Sequence, residues 1–277
     1  MPTAFSINLP DRSAASEVPL RRRGDFRKVL LGVLLLGVMA ATHARADSVI
    51  PGMERYGTLL HEHVTSDGLV DYSALHANYK NSINALDAAL FTAPHGNVAV
   101  AQGDTRLATL INVYNAAVLR VLLVHGAGTP QGTRSILSID DGGVFDAPLV
   151  FMGDKTISLN QLEKEHIAPL AGDDRYHFAI NCGAYSCPPL RAEAYTGEKL
   201  QRQLDDQRAR TLDAGDPRFL VREGDGAVKV TKLFDWYADE FGDPAAYLNE
   251  HAGLPGEVTD VSFLEYDWSL NAQRPSK

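Results

Sequence analysis

The sequence predicts an α+β fold in a single domain, in which a buried central helix packs on a small mixed or antiparallel sheet. The stretch from Asp104 to about His125 is apolar on most sides, which is typical of a buried helix. Two pairs of short apolar segments flank glycine-containing turns, as β-hairpins do. Helical and hairpin segments follow one another without a regular βαβ order, and this mixture favours the α+β class.

Each further element follows from apolar spacing or from turn residues. Apolar residues at helical spacing predict the helices, and Thr196 is a residue type that caps a helix start. Gly153-Asp154 and Gly224-Asp225-Gly226 supply the hairpin turns. In chain order, the predicted elements outside the central helix are helices over 56–64 and 85–91, a hairpin over 149–158, a short helix over 160–168, a buried strand over 176–181, a surface helix after Thr196, a hairpin over 219–231 and an aromatic-rich helix over 233–241.

The composition is that of an ordinary globular protein. Of the 277 residues, 45% are hydrophobic, 22% are charged and two are cysteines, which excludes a disordered chain, a collagen and a disulfide scaffold. The formal net charge is −9. Nucleic-acid binders normally carry a basic face, so this charge argues against a nucleic-acid partner.

The first 46 residues have the pattern of a signal peptide. A basic cluster over 21–28 precedes an uncharged, mostly apolar run over 29–41, and Ala44-Arg45-Ala46 fits an A-x-A cleavage site. We therefore expect a signal peptide over 1–46 and a single globular domain over 47–277. The protein is then periplasmic or secreted, with no membrane span after cleavage. An uncleaved N-terminal anchor is the alternative, although the apolar run is short for a hydrocarbon core of roughly 30 Å.

Removing this segment makes the remaining domain more acidic and exports both cysteines. Seven of the 26 basic residues and three of the 35 acidic residues precede Asp47, so the remaining 231 residues carry 19 basic and 32 acidic side chains, a net charge of −13. Cys182 and Cys187 lie five residues apart in a compartment where disulfides form. A disulfide between them is therefore one interpretation, and a buried, inert Cys182 is another.

The densest group of reactive side chains lies between His177 and Pro189. Pro188-Pro189 fixes the backbone directly after Cys187, and rigid placement suits a nucleophile. A thiol attacks as its thiolate, and a nearby imidazole can take its proton. We therefore predict Cys187 as the nucleophile and His177 as its base.

Other side chains complete this predicted site. Glu163 is the candidate for orienting the imidazole, with Glu165 and His166 as substitutes. On the predicted strand, Asn181 shares a face with His177, from which its amide could donate a hydrogen bond to a developing oxyanion.

Three polar residues outside the cysteine segment are candidates for binding a substrate. Asn112 and Asn115 share one face of the central helix, and Arg191 follows the proline pair. The amides could instead bridge to a loop as structural groups, and the arginine could pair with an acidic neighbour.

The chain resembles the domain of unknown function 547 family over most of its length after residue 46. The blocks that carry the resemblance are LINVYNA (110–116), ISLNQLE (157–163), HFAINCGAYSCPPLR (177–191), AYT (194–196), FDWY (234–237) and YDWSLN (266–271). The family pattern has a Glu-His pair in the short helix; Glu163 matches the Glu, but Lys164 stands where the His is expected. The order of a His before an Asn-Cys element also resembles circularly permuted papain-like enzymes, an analogy at the level of fold.

These observations support three hypotheses. The first is a thiol-dependent hydrolase or acyl/amide transferase that acts on a small molecule, a peptide or an envelope polymer and needs no cofactor. The second is a non-catalytic envelope protein that binds a ligand through the aromatic residues near Trp236 and Trp268. The third is a metal site built from Cys187, His177 and Glu163, although the close spacings of common metal sites are absent.

Overall fold

A computed structural model describes residues 52–95 and 101–273, and these lie within one compact unit, Asp47–Lys277. The predicted signal peptide over 1–46 lies outside the described residues, so it stays a prediction. The helices are α1 (Met53–His63), α2 (Tyr72–Ala77), α3 (Tyr79–His95), α4 (Gly103–Val124), α5 (Leu159–Gln161), α6 (Ala168–Ala171), α7 (Leu200–Thr211), α8 (Leu233–Trp236), α9 (Ala238–Phe241) and α10 (Pro244–His251). The strands are β1 (Val150–Met152), β2 (Lys155–Ile157), β3 (Leu220–Arg222), β4 (Ala227–Val230) and β5 (Asp260–Phe263).

Helix α4 is the buried central helix that the sequence predicts. Its side chains are buried almost without interruption from Leu107 to Leu123, and helix α3 is its most extensive neighbour. Among the described residues, α4 also has the length and hydropathy of a membrane span, but 89% of its most apolar window is buried inside the domain. A helix that is apolar all round and enclosed in this way forms the core of the domain.

The strands form two small sheets, and both predicted hairpins are present. Strands β1 and β2 pair antiparallel with Val150 opposite Ile157. The second sheet has the order β3-β4-β5, with β3 antiparallel and β5 parallel to β4, so it is mixed. The β1–β2 hairpin packs into the same apolar cluster as α4, whereas the mixed sheet packs with α9 and α10 around Phe178 and Phe234. The α+β class is therefore confirmed.

The strand predicted over 176–181 is wrong. The chain forms a 3₁₀ turn over Asp174–Phe178, which begins where the Asp173 carboxylate accepts the Arg175 N–H at 2.9 Å. The backbone beyond the turn finds its partners in side chains of α4 instead of in a neighbouring strand. Burial of the segment alone gave no information about which partners its backbone would use, because buried turns and buried strands both carry apolar residues.

Two helix boundaries also differ from the prediction. Thr196 does not cap α7, which begins four residues later, after Lys199. The aromatic-rich helix predicted over 233–241 is interrupted at Tyr237, which separates α8 from α9. This break places the Tyr237 side chain beside the cavity described next.

Candidate functional site

The predicted reactive residues meet at a cavity of about 190 Å³. Cys182, Cys187, His177 and Glu163 all line it. The other lining residues are mainly aromatic or apolar: Tyr114, Phe145, Asn160, Ile180, Pro188, Leu233, Trp236, Tyr237, Tyr266 and Trp268. Residues far apart in the chain therefore supply one concave site: Tyr114 of α4, Phe145, the segment around α5, the stretch from His177 to Pro188 and the C-terminal part.

The cysteine loop (residues 181–188) is closed by its own hydrogen bonds. The Cys182 N–H donates to the Cys187 sulfur at 2.8 Å. The Asn181 side chain accepts the Gly183 N–H at 2.8 Å and donates to the Pro188 carbonyl at 2.7 Å. Gly183 has a φ of 83°, and a Cβ there would lie 2.6 Å from the Leu122 side chain of α4, so glycine lets the loop lie against the central helix.

The C-terminal segment (residues 266–271) binds along this loop. The Tyr185 N–H donates to the Ser269 carbonyl at 2.7 Å, and the Asn271 N–H donates to the Gly183 carbonyl at 3.0 Å. This pairing brings the Tyr266 hydroxyl to 3.4 Å from the Cys182 sulfur. The segment therefore fixes both the loop and one wall of the cavity.

The two thiols have unequal pKa values. A hydrogen bond from Cys187 lowers the pKa of the Cys182 thiol more than any other influence, and Tyr266 and the Ala184 backbone N–H lower it further against the effect of burial. Burial, followed by the hydrogen bond to Cys182, raises the pKa of Cys187 well above its ordinary value. Cys182 therefore loses its proton more readily than Cys187 does.

His177 is buried beside the cavity and is held by a carboxylate. Its Nε2 lies 3.0 Å from Oε2 of Glu240, which also accepts the Tyr176 hydroxyl at 3.0 Å. The ring lies 3.9 Å, between centroids, from the ring of Tyr237. Burial lowers the pKa of His177, while Glu240 and Asp174 oppose that shift. The imidazole is therefore a neutral ring whose orientation is fixed by Glu240.

Glu163 is a buried carboxyl group whose backbone belongs to a π-helical turn, Leu162–Ile167, between α5 and α6. Single π-helical turns of this kind are frequent at functional sites. The Tyr237 hydroxyl donates to Oε1 of Glu163 at 3.0 Å. Burial raises the pKa of Glu163, and neither this hydrogen bond nor the charge of Lys164 fully offsets that increase. Glu163 is therefore suited to hold a proton at a higher pH than an ordinary glutamate.

Three aromatic rings stand together at the edge of the cavity. Trp236 is 46% exposed, and its ring centroid lies 4.7 Å from that of Tyr266 and 5.9 Å from that of Trp268. The rings of Tyr266 and Trp268 are 4.6 Å apart. We call these three residues the aromatic rim.

The structure brings Glu163 to the cavity but does not give it the predicted role of orienting His177. Glu240 contacts the imidazole instead, and Glu163 is bonded to Tyr237. The substitutes do not take the role either, since neither Glu165 nor His166 lines the cavity. The reason is the π-helical turn, which changes the direction of each side chain relative to a regular helix.

Asn181, predicted as an oxyanion donor, uses both ends of its side-chain amide within the cysteine loop. Its amide nitrogen is committed to the Pro188 carbonyl, and its amide oxygen accepts the Gly183 N–H. Asn181 also does not line the cavity. It stabilises the cysteine loop instead of facing a reacting atom.

Asn112 and Asn115, predicted to bind a substrate, are bonded to backbone groups and do not line the cavity. Asn112 donates to the Tyr195 carbonyl at 2.8 Å and accepts the Tyr195 N–H at 2.9 Å. Asn115 donates to the Ala179 carbonyl at 3.0 Å and accepts the Asn181 N–H at 2.8 Å. Both amides are buried, and both bridge α4 to a loop, as the structural alternative predicts.

Arg191 is likewise occupied away from the cavity. Its guanidinium forms ion pairs with Glu193 and Asp206, and it does not line the cavity. These pairings match the alternative in which the arginine neutralises acidic neighbours.

The cysteines are not joined by a disulfide in this structure, where both are free thiols. The metal alternative also lacks a ligand set: within residues 52–95 and 101–273, no group of three or more His, Cys, Asp or Glu side chains is arranged to hold a metal ion. The thiols therefore remain available for chemistry of their own.

Sequence reasoning did not single out Glu240, and it named Tyr237 and Tyr266 only among the aromatic residues of the binding hypothesis. Glu240, Tyr237 and Tyr266 lie 63, 74 and 84 residues along the chain from the groups they contact. Tyr237 and Tyr266 stood in blocks of the family pattern, and that pattern was the available signal for them. No local pattern singles out Glu240 among the many acidic residues of the chain.

The fold and this cavity define an α+β protein with a paired-thiol pocket. Residues 99–211 match the family model described as a protein of unknown function, DUF547. The similarity to the domain of unknown function 547 family therefore lies in this segment, which contains α4, Glu163, His177 and both cysteines. Neither a curated protein nor a solved structure significantly matches the chain.

Proposed function

We propose that the protein is a thiol-dependent hydrolase or acyl/amide transferase. The observation that carries this proposal is the cysteine pair, in which a hydrogen bond from Cys187 lowers the pKa of the Cys182 thiol inside a cavity. A thiolate is the nucleophilic form of cysteine, and reactive cysteines are marked by a lowered pKa and partial exposure. Cys182 meets both conditions, since it is only partly buried, whereas Cys187 is buried. The nucleophile predicted at Cys187 is therefore reassigned to Cys182.

The surrounding groups provide for the proton transfers of acyl transfer. The Cys182 thiolate attacks the carbonyl carbon of an acyl substrate, and a C–S bond forms as the bond to the leaving group breaks. The leaving group takes a proton from Glu163, whose raised pKa favours the protonated acid.

Water or an amine then attacks the thioester carbonyl and gives one proton to the neutral His177, which Glu240 orients. The C–S bond breaks with its electron pair on sulfur, which restores the thiolate. The proton returns from His177 to the Glu163 carboxylate through solvent. Each turnover therefore ends with Cys182 as the thiolate, His177 neutral and Glu163 protonated, as at the start.

Alkylation and acylation of the purified protein test this proposal. We expect iodoacetamide to modify Cys182 at neutral pH faster than it modifies glutathione. We also expect p-nitrophenyl acetate to add one acetyl group to Cys182, seen by peptide mass spectrometry, and this adduct to disappear in Cys182→Ala. The matched control is Cys187→Ala, in which the acetyl group should still reach Cys182. The proposal fails if Cys182 reacts no faster than glutathione, or if neither cysteine is acetylated.

The aromatic rim favours a second candidate function, the binding of a ligand without chemistry. Trp236 is the most exposed tryptophan ring at the cavity edge, and exposed aromatic rings commonly mark binding surfaces. If the acylation experiment fails while a ligand still quenches Trp236 fluorescence, this second function replaces the first.

A further inference from the structure

The carboxyl group of Glu163 has spare hydrogen-bonding capacity. One of its oxygens accepts the Tyr237 hydroxyl at 3.0 Å. Among the hydrogen bonds and ion pairs of the described residues, none involves its other oxygen, although the side chain is only 5% exposed. A carboxylate can accept about four hydrogen bonds, and a buried one normally has most of them filled. The cavity is the space from which a partner for this oxygen would come.

Among the described residues that line the cavity, none is a Lys or Arg, and the one histidine there, His177, is held by Glu240. Lys164 is exposed and does not line the cavity, although its charge acts on Glu163 from outside. Burial and the nearby charge of Glu240 raise the pKa of Glu163, so its ionised form is unfavourable while the cavity holds no cation. A cation bound in the cavity would stabilise the ionised carboxylate and would bind in exchange for its proton.

The remaining walls also suit a cation. The aromatic rim and Tyr114 present π faces, which attract ammonium groups within about 6 Å of the ring centroid. The volume of about 190 Å³ lies below the ~300–1,000 Å³ typical of drug-sized sites, so it fits one side chain or a short amine. An anion would be repelled by the charge of Glu240 near Glu163, and a neutral ligand would not stabilise the ionised Glu163 carboxylate.

We propose that the cavity binds a primary alkylammonium group, with Glu163 accepting its N–H donors and the aromatic rim covering its alkyl chain. This inference rests on the proposed function for its meaning in catalysis: Glu163 becomes a carboxylate once it has protonated the leaving group, so the ammonium group would belong to the acyl acceptor. A primary ammonium fits better than a quaternary one, because the spare oxygen of Glu163 needs a hydrogen-bond donor.

Calorimetric titration of the thiol-free variant Cys182→Ala/Cys187→Ala with n-butylamine, 1-butanol and tetramethylammonium at neutral pH tests the inference without any covalent step. We expect n-butylamine to bind at least about tenfold more tightly than the uncharged 1-butanol, as a charge-assisted hydrogen bond implies. Equal binding of n-butylamine and 1-butanol, or tighter binding of tetramethylammonium, would overturn the inference.

Two variants, each with a glutamate replaced by glutamine, provide the matched comparison. Glu163→Gln should weaken n-butylamine binding about tenfold or more, and Glu165→Gln, an exposed position on the same π-helical turn, should leave it unchanged. An equal loss of n-butylamine binding in both variants, or no loss in Glu163→Gln, contradicts the inference.

If n-butylamine binds as expected while Cys182 of the unmodified protein is not acetylated, the proposed chemistry fails and the ammonium site stands. If Cys182 is acetylated but n-butylamine does not bind, the ammonium site fails and the proposed chemistry stands.

Discussion

The amides of the central helix and the polar groups of the cavity are both buried, but they differ in how fully their hydrogen bonds are used. Asn112 and Asn115 each use the nitrogen and the oxygen of the side chain on backbone partners. Glu163 uses one oxygen, and the Cys187 sulfur accepts the Cys182 N–H beside the partly buried Cys182 thiol. A buried polar group that is fully bonded stabilises the fold, whereas one with spare capacity facing a cavity is available to a ligand.

The largest effect that tests this comparison is expected at Asn115. In Asn115→Ala, the Asn181 N–H and the Ala179 carbonyl lose their partners, and each unsatisfied buried group costs about 1–3 kcal/mol, so the free energy of unfolding should fall by about 2–5 kcal/mol. Urea denaturation measures this change. Asn81→Ala, at an exposed asparagine of α3, is the control and should stay within about 0.5 kcal/mol of the original protein. A decrease of less than about 1 kcal/mol in the unfolding free energy of Asn115→Ala would contradict the idea that the fully bonded amides stabilise the fold. Each amide would then contribute no more than a surface ion pair.

The next effect concerns the cysteine pair. In Cys187→Ala the hydrogen bond that lowers the pKa of Cys182 is gone, so the alkylation midpoint of Cys182 should move to higher pH. A rise of one pKa unit corresponds to about tenfold slower labelling at neutral pH. The reciprocal variant, Cys182→Ala, should leave Cys187 unreactive, because burial raises its pKa. Iodoacetamide rates measured over a pH series give both midpoints, and an unchanged midpoint for Cys182 would mean that the pair is not coupled.

The smallest effect is a gain in stability at Glu163. Because the pKa of Glu163 is raised in the folded protein, its ionised form is less favourable there than in the unfolded chain. Glu163→Gln should therefore increase the free energy of unfolding at neutral pH by about 0.5–2 kcal/mol, the usual range for relieving a functional site. The gain should vanish as the pH falls through the raised pKa toward that of an ordinary glutamate, where both states are protonated.

Thermal unfolding at several pH values measures this difference in stability. Glu165→Gln is the control, and its effect on the unfolding free energy should not change with pH. If Glu163→Gln lowers stability at neutral pH, Glu163 acts as a structural partner of Tyr237. Glu163 would then stabilise the fold, as the buried amides of α4 do, and would not be a group available to a ligand.

Much of the fold could be predicted from local patterns. The apolar run of α4 and the glycine turns of the two hairpins depend on residues close together in the chain, and all three elements are present. The segment over 176–181 was mispredicted because its backbone is bonded to the Asn115 side chain, 64 and 66 residues away. The spacing of apolar residues within the segment cannot predict a partner so far away in the chain.

The site could be predicted in part. The sequence identified Cys182, Cys187, His177 and Glu163, and all four line one cavity. It assigned the orienting carboxylate to Glu163, a neighbour along the chain, whereas the contact comes from Glu240, 63 residues away. Asn181 was an attractive oxyanion donor by residue type, but its amide is used in closing the cysteine loop.

The sequence by itself determined the class of fold, the buried central helix and the segment that carries the reactive side chains. These depend on hydrophobic spacing and on residue chemistry, which are local properties. Only the tertiary structure decided which thiol has the lowered pKa, which carboxylate contacts His177 and which side chains line the cavity. Those outcomes depend on burial and on the pairing of groups far apart in the chain, and both arise only when the chain is folded.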